Sequence, residues 1–150
     1  MIKLCQRDPI WSDQTIGTTM MTVARWGCLI TSMSMLTDYF GNYRDPATLA
    51  KAGSIIKYNS SGQVIWDTVK LSCMKFERRI KYREDVEILR SLKDPDKAVC
   101  LEVDGSHWVV ATGKNLLFDG YKIVDPWTGR SSTTGAYKNI TGSAHFVRNS

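Results

Sequence analysis

Four side chains in this 150-residue chain have the types, and occur in the order, that acyl-transfer chemistry requires: Gln6, Cys28, His107 and Asp125. A thiolate attacks a carbonyl carbon where a thiol hardly does, and the start of a helix favours the thiolate through its dipole and free N–H groups. Cys28 falls at such a start. Leu29, Met33, Leu36 and Phe40 form a helical apolar stripe beginning near Trp26, and Gly41 stands where a left-handed cap is needed. An imidazole is the natural base for a cysteine nucleophile. The chain has only two histidines, His107 and His145. His107 is favoured because it opens a strand directly after a tight turn, whereas no orienting acid stands in a defined relation to His145. Asp125 ends the next strand and is stiffened by Pro126, so two neighbouring antiparallel strands could bring it beside His107. A carboxylate there would fix the tautomer and stabilise imidazolium. A side-chain amide upstream of the nucleophile could donate to the developing oxyanion. Gln6 and Gln14 both satisfy that requirement, and composition does not choose between them.

The elements that must position these residues divide into a largely helical stretch, 26–95, and a largely extended one, 98–148. Thr22 to Gly27 is expected to be short and irregular. Asp45-Pro46 reads as a capped helix start, and Gly53 ends that helix. Asn59 to Gly62 reads as a turn, with Ser60 or Ser61 capping a further helix whose buried side is Val64, Ile65, Val69 and Cys73. Phe76 to Tyr82 reads as a strand and Asp85 to Leu92 as a short helix, broken at Asp94-Pro95. Strands then follow at Ala98–Val103, His107–Thr112 and Tyr121–Val124, with a short last one at His145–Val147. Asp104-Gly105 is the hairpin signal between the first two. The expected class is α+β, a helical part followed by an antiparallel sheet, in one domain over 1–150.

Composition excludes several classes. With 43% hydrophobic residues the chain can build a core without disulfides, and no apolar run approaches the ~20 residues of a membrane-spanning helix. The opening MIKLCQRDP lacks the apolar stretch of a secretory signal, so a cytoplasmic or virion-associated location is expected. Cys5, Cys28, Cys73 and Cys100 contain no C-x-x-C pair, and with the two histidines they offer no zinc-ligand spacing; neither metal nor organic cofactor is expected. The net charge of +5 is mildly basic. Its densest stretch, Lys75 to Arg83, reads with period two as Lys75, Glu77, Arg79, Lys81 and Arg83 on a solvated face opposite Phe76, Arg78, Ile80 and Tyr82. No nucleic-acid motif accompanies it.

The wording around these residues narrows the class. QRDPIW at Gln6–Trp11, Trp26-Gly27-Cys28, Thr31-Ser32-Met33 and Asp38-Tyr39-Phe40-Gly41 resemble the papain-like cysteine peptidases, as do Ser106-His107-Trp108-Val109-Val110 and Tyr121-Lys122-Ile123-Val124-Asp125-Pro126. The branch they resemble is the bacteriocin-processing, double-glycine leader peptidases and their stand-alone relatives, over residues 6 to 128. The resemblance implies a papain-like fold, with Cys28 as nucleophile, His107 as base and then acid, Asp125 as orienting residue and Gln6 as oxyanion donor. Leu29 stands where such relatives often carry a small residue, and it could narrow the cleft. The implied substrate is a peptide or a peptidoglycan stem peptide. By analogy with wall-acting relatives, the chain could serve within a larger protein or a virion. A relic of the same fold that binds a peptide or partner protein, and an acyl transferase using the same thioester, are the rival readings.

Tryptophans crowd the site: Trp26, Trp108 and Trp127 each lie within two positions of Cys28, His107 or Asp125. Strand alternation turns Trp108 away from His107 and into the core. Trp127 shares the parity of Asp125 and, with Trp26, is the expected wall of a substrate cleft.

Overall fold

The stripe ahead of Gly41 folds as one helix, and a separate single turn precedes it. The computed structural model describes residues 1–149. Helix α1 (Val23–Trp26) is a single turn within the stretch expected to be irregular, and α2 (Cys28–Tyr39) buries Ile30, Met33 and Leu36. Gly27 separates them. A Cβ there would come within 2.6 Å of the Val23 carbonyl oxygen and 2.8 Å of its Cα, so any other residue would push the two helices apart and move Cys28. Gly41 takes φ +92°, the left-handed geometry that ends α2. Helix α3 (Pro46–Ala50) starts as its sequence requires: the Thr48 N–H donates to Asp45 Oδ1 at 2.7 Å, and proline occupies the first helical position.

The helix expected after Ser61 does not form. Asn59 Oδ1 accepts the N–H groups of Ser61 and Gln63, each at 2.9 Å, which closes a tight loop and leaves neither serine as a cap. Val64 instead bridges Tyr58, and one 3₁₀ turn at Trp66–Thr68 follows. Val69 and Cys73 are buried, but Ile65 is exposed.

Six strands form one antiparallel sheet: β1 (Met74–Ile80), β2 (Lys97–Val103), β3 (His107–Lys114), β4 (Tyr121–Asp125), β5 (Arg130–Thr133) and β6 (Ile140–Arg148), in the order β1-β6-β2-β3-β4-β5. The fold class is therefore α+β. Two features depart from the sequence reading. Strand β5 is new, and the last strand is three times the expected length and sits inside the sheet, because Ser143, Ala144, His145 and Phe146 are all buried there. Strand β1, from the helical half, pairs with it and so closes the sheet on that side.

The period-two reading of Lys75–Arg83 fails at Glu77. A register shift between Phe76 and Arg78 reverses the faces beyond it. Arg79 thus lies on the Phe76 side, its guanidinium 4.8 Å from the Trp108 ring centroid and 3.1 Å from Glu102. Arg78 instead turns to the opposite side and pairs with Glu87.

The sheet is covered on both faces. Cys100, Trp108, Val110, Val124, Ala144 and Phe146 pack towards α2 and the N-terminal segments. Val99, Leu101, Val109 and Ile123 meet Ile88 of helix α4 (Asp85–Lys93) on the other. Trp108 points into the first core, edge-on to Trp66 at 5.7 Å between centroids. Trp108→Ala is therefore expected to cost about 3–5 kcal/mol. Chemical denaturation would register this as a lower midpoint, and an unchanged midpoint would contradict the packing. Among the described residues no helix is long and apolar enough to cross a membrane.

Candidate active site

Cys28 is the first residue of α2, half-buried, where the opening N–H groups of a helix have no acceptor within it. His107 is the first residue of β3, delivered by a hairpin in which Asp104 and Gly105 take φ +53° and +74°. Asp125 is the last residue of β4. Val110 faces Val124 across these strands, so Asp125 and His107 share one face, a diagonal step apart. The His107 Nε2–H donates to Asp125 Oδ1 at 2.8 Å. That leaves Nδ1 free of Asp125, and Cys28 stands near enough to the imidazole to act on its protonation.

Burial alone would lower the His107 pKa. The hydrogen bond to Asp125, together with the nearby Cys28, outweighs it and pushes the imidazole up to about 9. Asp125 is buried, which favours its neutral form, yet three donors hold its carboxyl below the ordinary value. They are His107, the Trp127 N–H on Oδ1 at 2.9 Å, and the Tyr137 hydroxyl on Oδ2.

Tyr137 was not foreseen. Its ring lies 5.4 Å from that of His107, and burial together with Asp125 raises its own pKa, so the hydroxyl keeps its proton. Asp104 places it: Oδ1 accepts the N–H groups of Lys138 at 3.0 Å and Asn139 at 2.9 Å. The hairpin that presents His107 therefore also presents the tyrosine that orients its carboxylate. Nothing local in the sequence around Tyr137 signals this.

Gln6 and Gln14 are now distinguished. The Gln6 N–H donates to the Pro126 carbonyl at 2.8 Å, beside Asp125, and its side chain is buried. Its Nε2 donates to the Ala24 carbonyl at 3.0 Å, which fixes the amide orientation and leaves the second Nε2 proton uncommitted; Oε1 is buried without a partner. The Gln14 amide is tied to the neighbouring Thr15 carbonyl.

Trp26 and Trp127 are both partly exposed, and each carries an arginine over its ring: Arg25 at 5.5 Å and Arg7 at 4.4 Å. His145 is excluded from the site. It is fully buried between the hydroxyls of Ser91 at 2.7 Å and Ser143 at 2.8 Å, and burial, reinforced by Arg78, lowers its pKa to about 4. Of the other thiols, Cys73 and Cys100 are buried and pushed up in pKa by that burial, while Cys5 is half-buried against the Trp127 carbonyl.

Comparison with family models, with characterised proteins and with solved structures found no match to this chain.

Proposed function

We propose that the protein is a cysteine peptidase or amidase of papain-like fold. The observation that carries this reading is the hydrogen bond from His107 to Asp125 with Cys28 beside the same imidazole, on three rigid elements, α2, β3 and β4, that converge from different parts of the chain. Cys28 attacks an amide carbonyl as the thiolate, forming the S–C bond. The tetrahedral oxyanion accepts hydrogen bonds from the free Gln6 Nε2–H and from the open N–H groups at the start of α2. On collapse the C–N bond breaks, and the imidazolium of His107 protonates the leaving amine. Neutral His107 then takes a proton from water, whose oxygen attacks the thioester carbon and releases the acid and Cys28. The arginine-capped indoles of Trp26 and Trp127 suit the walls for an extended peptide, including a peptidoglycan stem peptide.

Iodoacetamide labelling at mildly acidic pH, read by peptide mass spectrometry, tests the core of this. Cys28 is expected to react at least tenfold faster than Cys5, with Cys73 and Cys100 unlabelled in the folded protein. Equal labelling of all four, or preference for Cys73, would reject Cys28 as nucleophile. Incubation with peptide and peptidoglycan substrates, with and without an added amine, separates hydrolysis from acyl transfer by the product formed. A protein with a reactive Cys28 that cleaves neither would point to a binding module.

A further inference from the structure

We propose that the tip of the β3–β4 hairpin, Leu116-Leu117-Phe118, docks this protein onto an anionic bilayer surface. These three consecutive apolar side chains are 83%, 85% and 77% exposed. An isolated exposed leucine needs no explanation, but three in a row at a loop apex do. The loop is built to present them. Its ends are closed by the Asn115 N–H on the Gly120 carbonyl at 3.0 Å, and Asn115 Oδ1 accepts the Leu117 N–H at 3.2 Å. Arg83 clamps Asp119 with two bonds of 3.0 and 2.8 Å, so the apex does not fold back to bury its side chains.

Shape and charge select the occupant. The tip is convex, and three side chains cover on the order of 500 Å², below the ~800 Å² per partner of a stable protein–protein interface. A bilayer interface accepts a small apolar wedge, and anionic headgroups add attraction for flanking lysines. Lys114 and Lys122, at the base of the hairpin, are exposed, as is Lys138, which lines with Phe118 a cavity of about 460 Å³. The acids nearby, Asp119 and Asp85, share Arg83 and together with it carry one net negative charge, against the three positive charges of Lys114, Lys122 and Lys138. Tyr137 lines the same cavity, so docking would bring the flank that carries Asp125's tyrosine partner towards the membrane.

Co-sedimentation with large vesicles, of phosphatidylcholine alone or with about one-third phosphatidylglycerol, at about 0.1 M salt, tests this without reference to catalysis. The full chain is expected to bind the anionic vesicles at least roughly tenfold more tightly than the zwitterionic ones. The triple variant Leu116→Ser, Leu117→Ser, Phe118→Ser should lose roughly tenfold or more, and Leu117→Asp alone should weaken binding in the same direction. Each of Lys114→Gln and Lys122→Gln should weaken it about fivefold. Circular dichroism of the variants should match the parent, since the altered side chains face solvent. Absence of binding, equal binding to both vesicle types, or binding that survives the triple substitution would overturn the proposal. So would wild-type self-association that the triple variant abolishes without any vesicle binding, which would make the tip a contact between copies of the chain.

Discussion

His107→Ala is expected to leave a folded protein whose turnover is lower by about 10⁴–10⁶-fold, the scale on which loss of the base in a nucleophile–base pair is felt. Position explains why the fold survives. His107 sits at the rim of β3, and its side-chain hydrogen bond goes to Asp125 rather than to core backbone. Loss of the imidazole removes the group placed to take the thiol proton and return it to the leaving amine. Rapid Cys28 labelling at mildly acidic pH should disappear in the same variant. His145→Ala is the matched control and should behave in the opposite way. Its ring is fully buried and bonded to two serine hydroxyls, so its removal should lower the unfolding midpoint while leaving turnover per folded molecule unchanged. An inactive His145→Ala protein beside an active His107→Ala one would assign the base wrongly.

Asp125→Asn should reduce turnover by about 10–10⁴-fold, the upper end being the serine-triad case. The amide can keep its carbonyl towards His107 and the Trp127 N–H while its NH₂ group meets the Tyr137 hydroxyl, which is able to accept. Geometry is retained and charge is lost. The pH profile carries the sharper test. In the folded protein His107 is held up to about 9, above its unfolded value near 6.5. The proton that the leaving amine needs is therefore present below that pH and lost as pH rises through about 9, which sets the alkaline limb of activity. The same sign governs stability: the contribution of the His107 contacts is complete below about pH 6.5 and is lost as pH rises through about 9. Without the carboxylate, the limb should move down towards the ordinary histidine range. Tyr137→Phe acts on the other side, because removing one of the three donors lets Asp125 protonate at higher pH and should raise the acid limb. An Asp125→Asn protein with wild-type rate and an unmoved alkaline limb would remove Asp125 from the mechanism.

The local parts of the site could be read directly from residue order. The spacing of Leu29, Met33, Leu36 and Phe40 specifies a helix beginning beside Cys28, and Asp104-Gly105 specifies the turn that starts a strand at His107. Asp125-Pro126 specifies the end of the next strand. Each depends on backbone preferences within a few residues, which a sequence displays openly. What tertiary structure decided depends on pairing across long intervals. The register of β3 against β4 puts His107 and Asp125 on one face, and the Asp104 bonds to the 138–139 backbone bring Tyr137 to the carboxylate. The pairing of the Gln6 backbone with Pro126 separates Gln6 from Gln14. The bulge at Glu77 reverses Arg78 and Arg79, and β6 enters the sheet between β1 and β2, burying His145, because strand partners and not local pattern set which side chains turn inward.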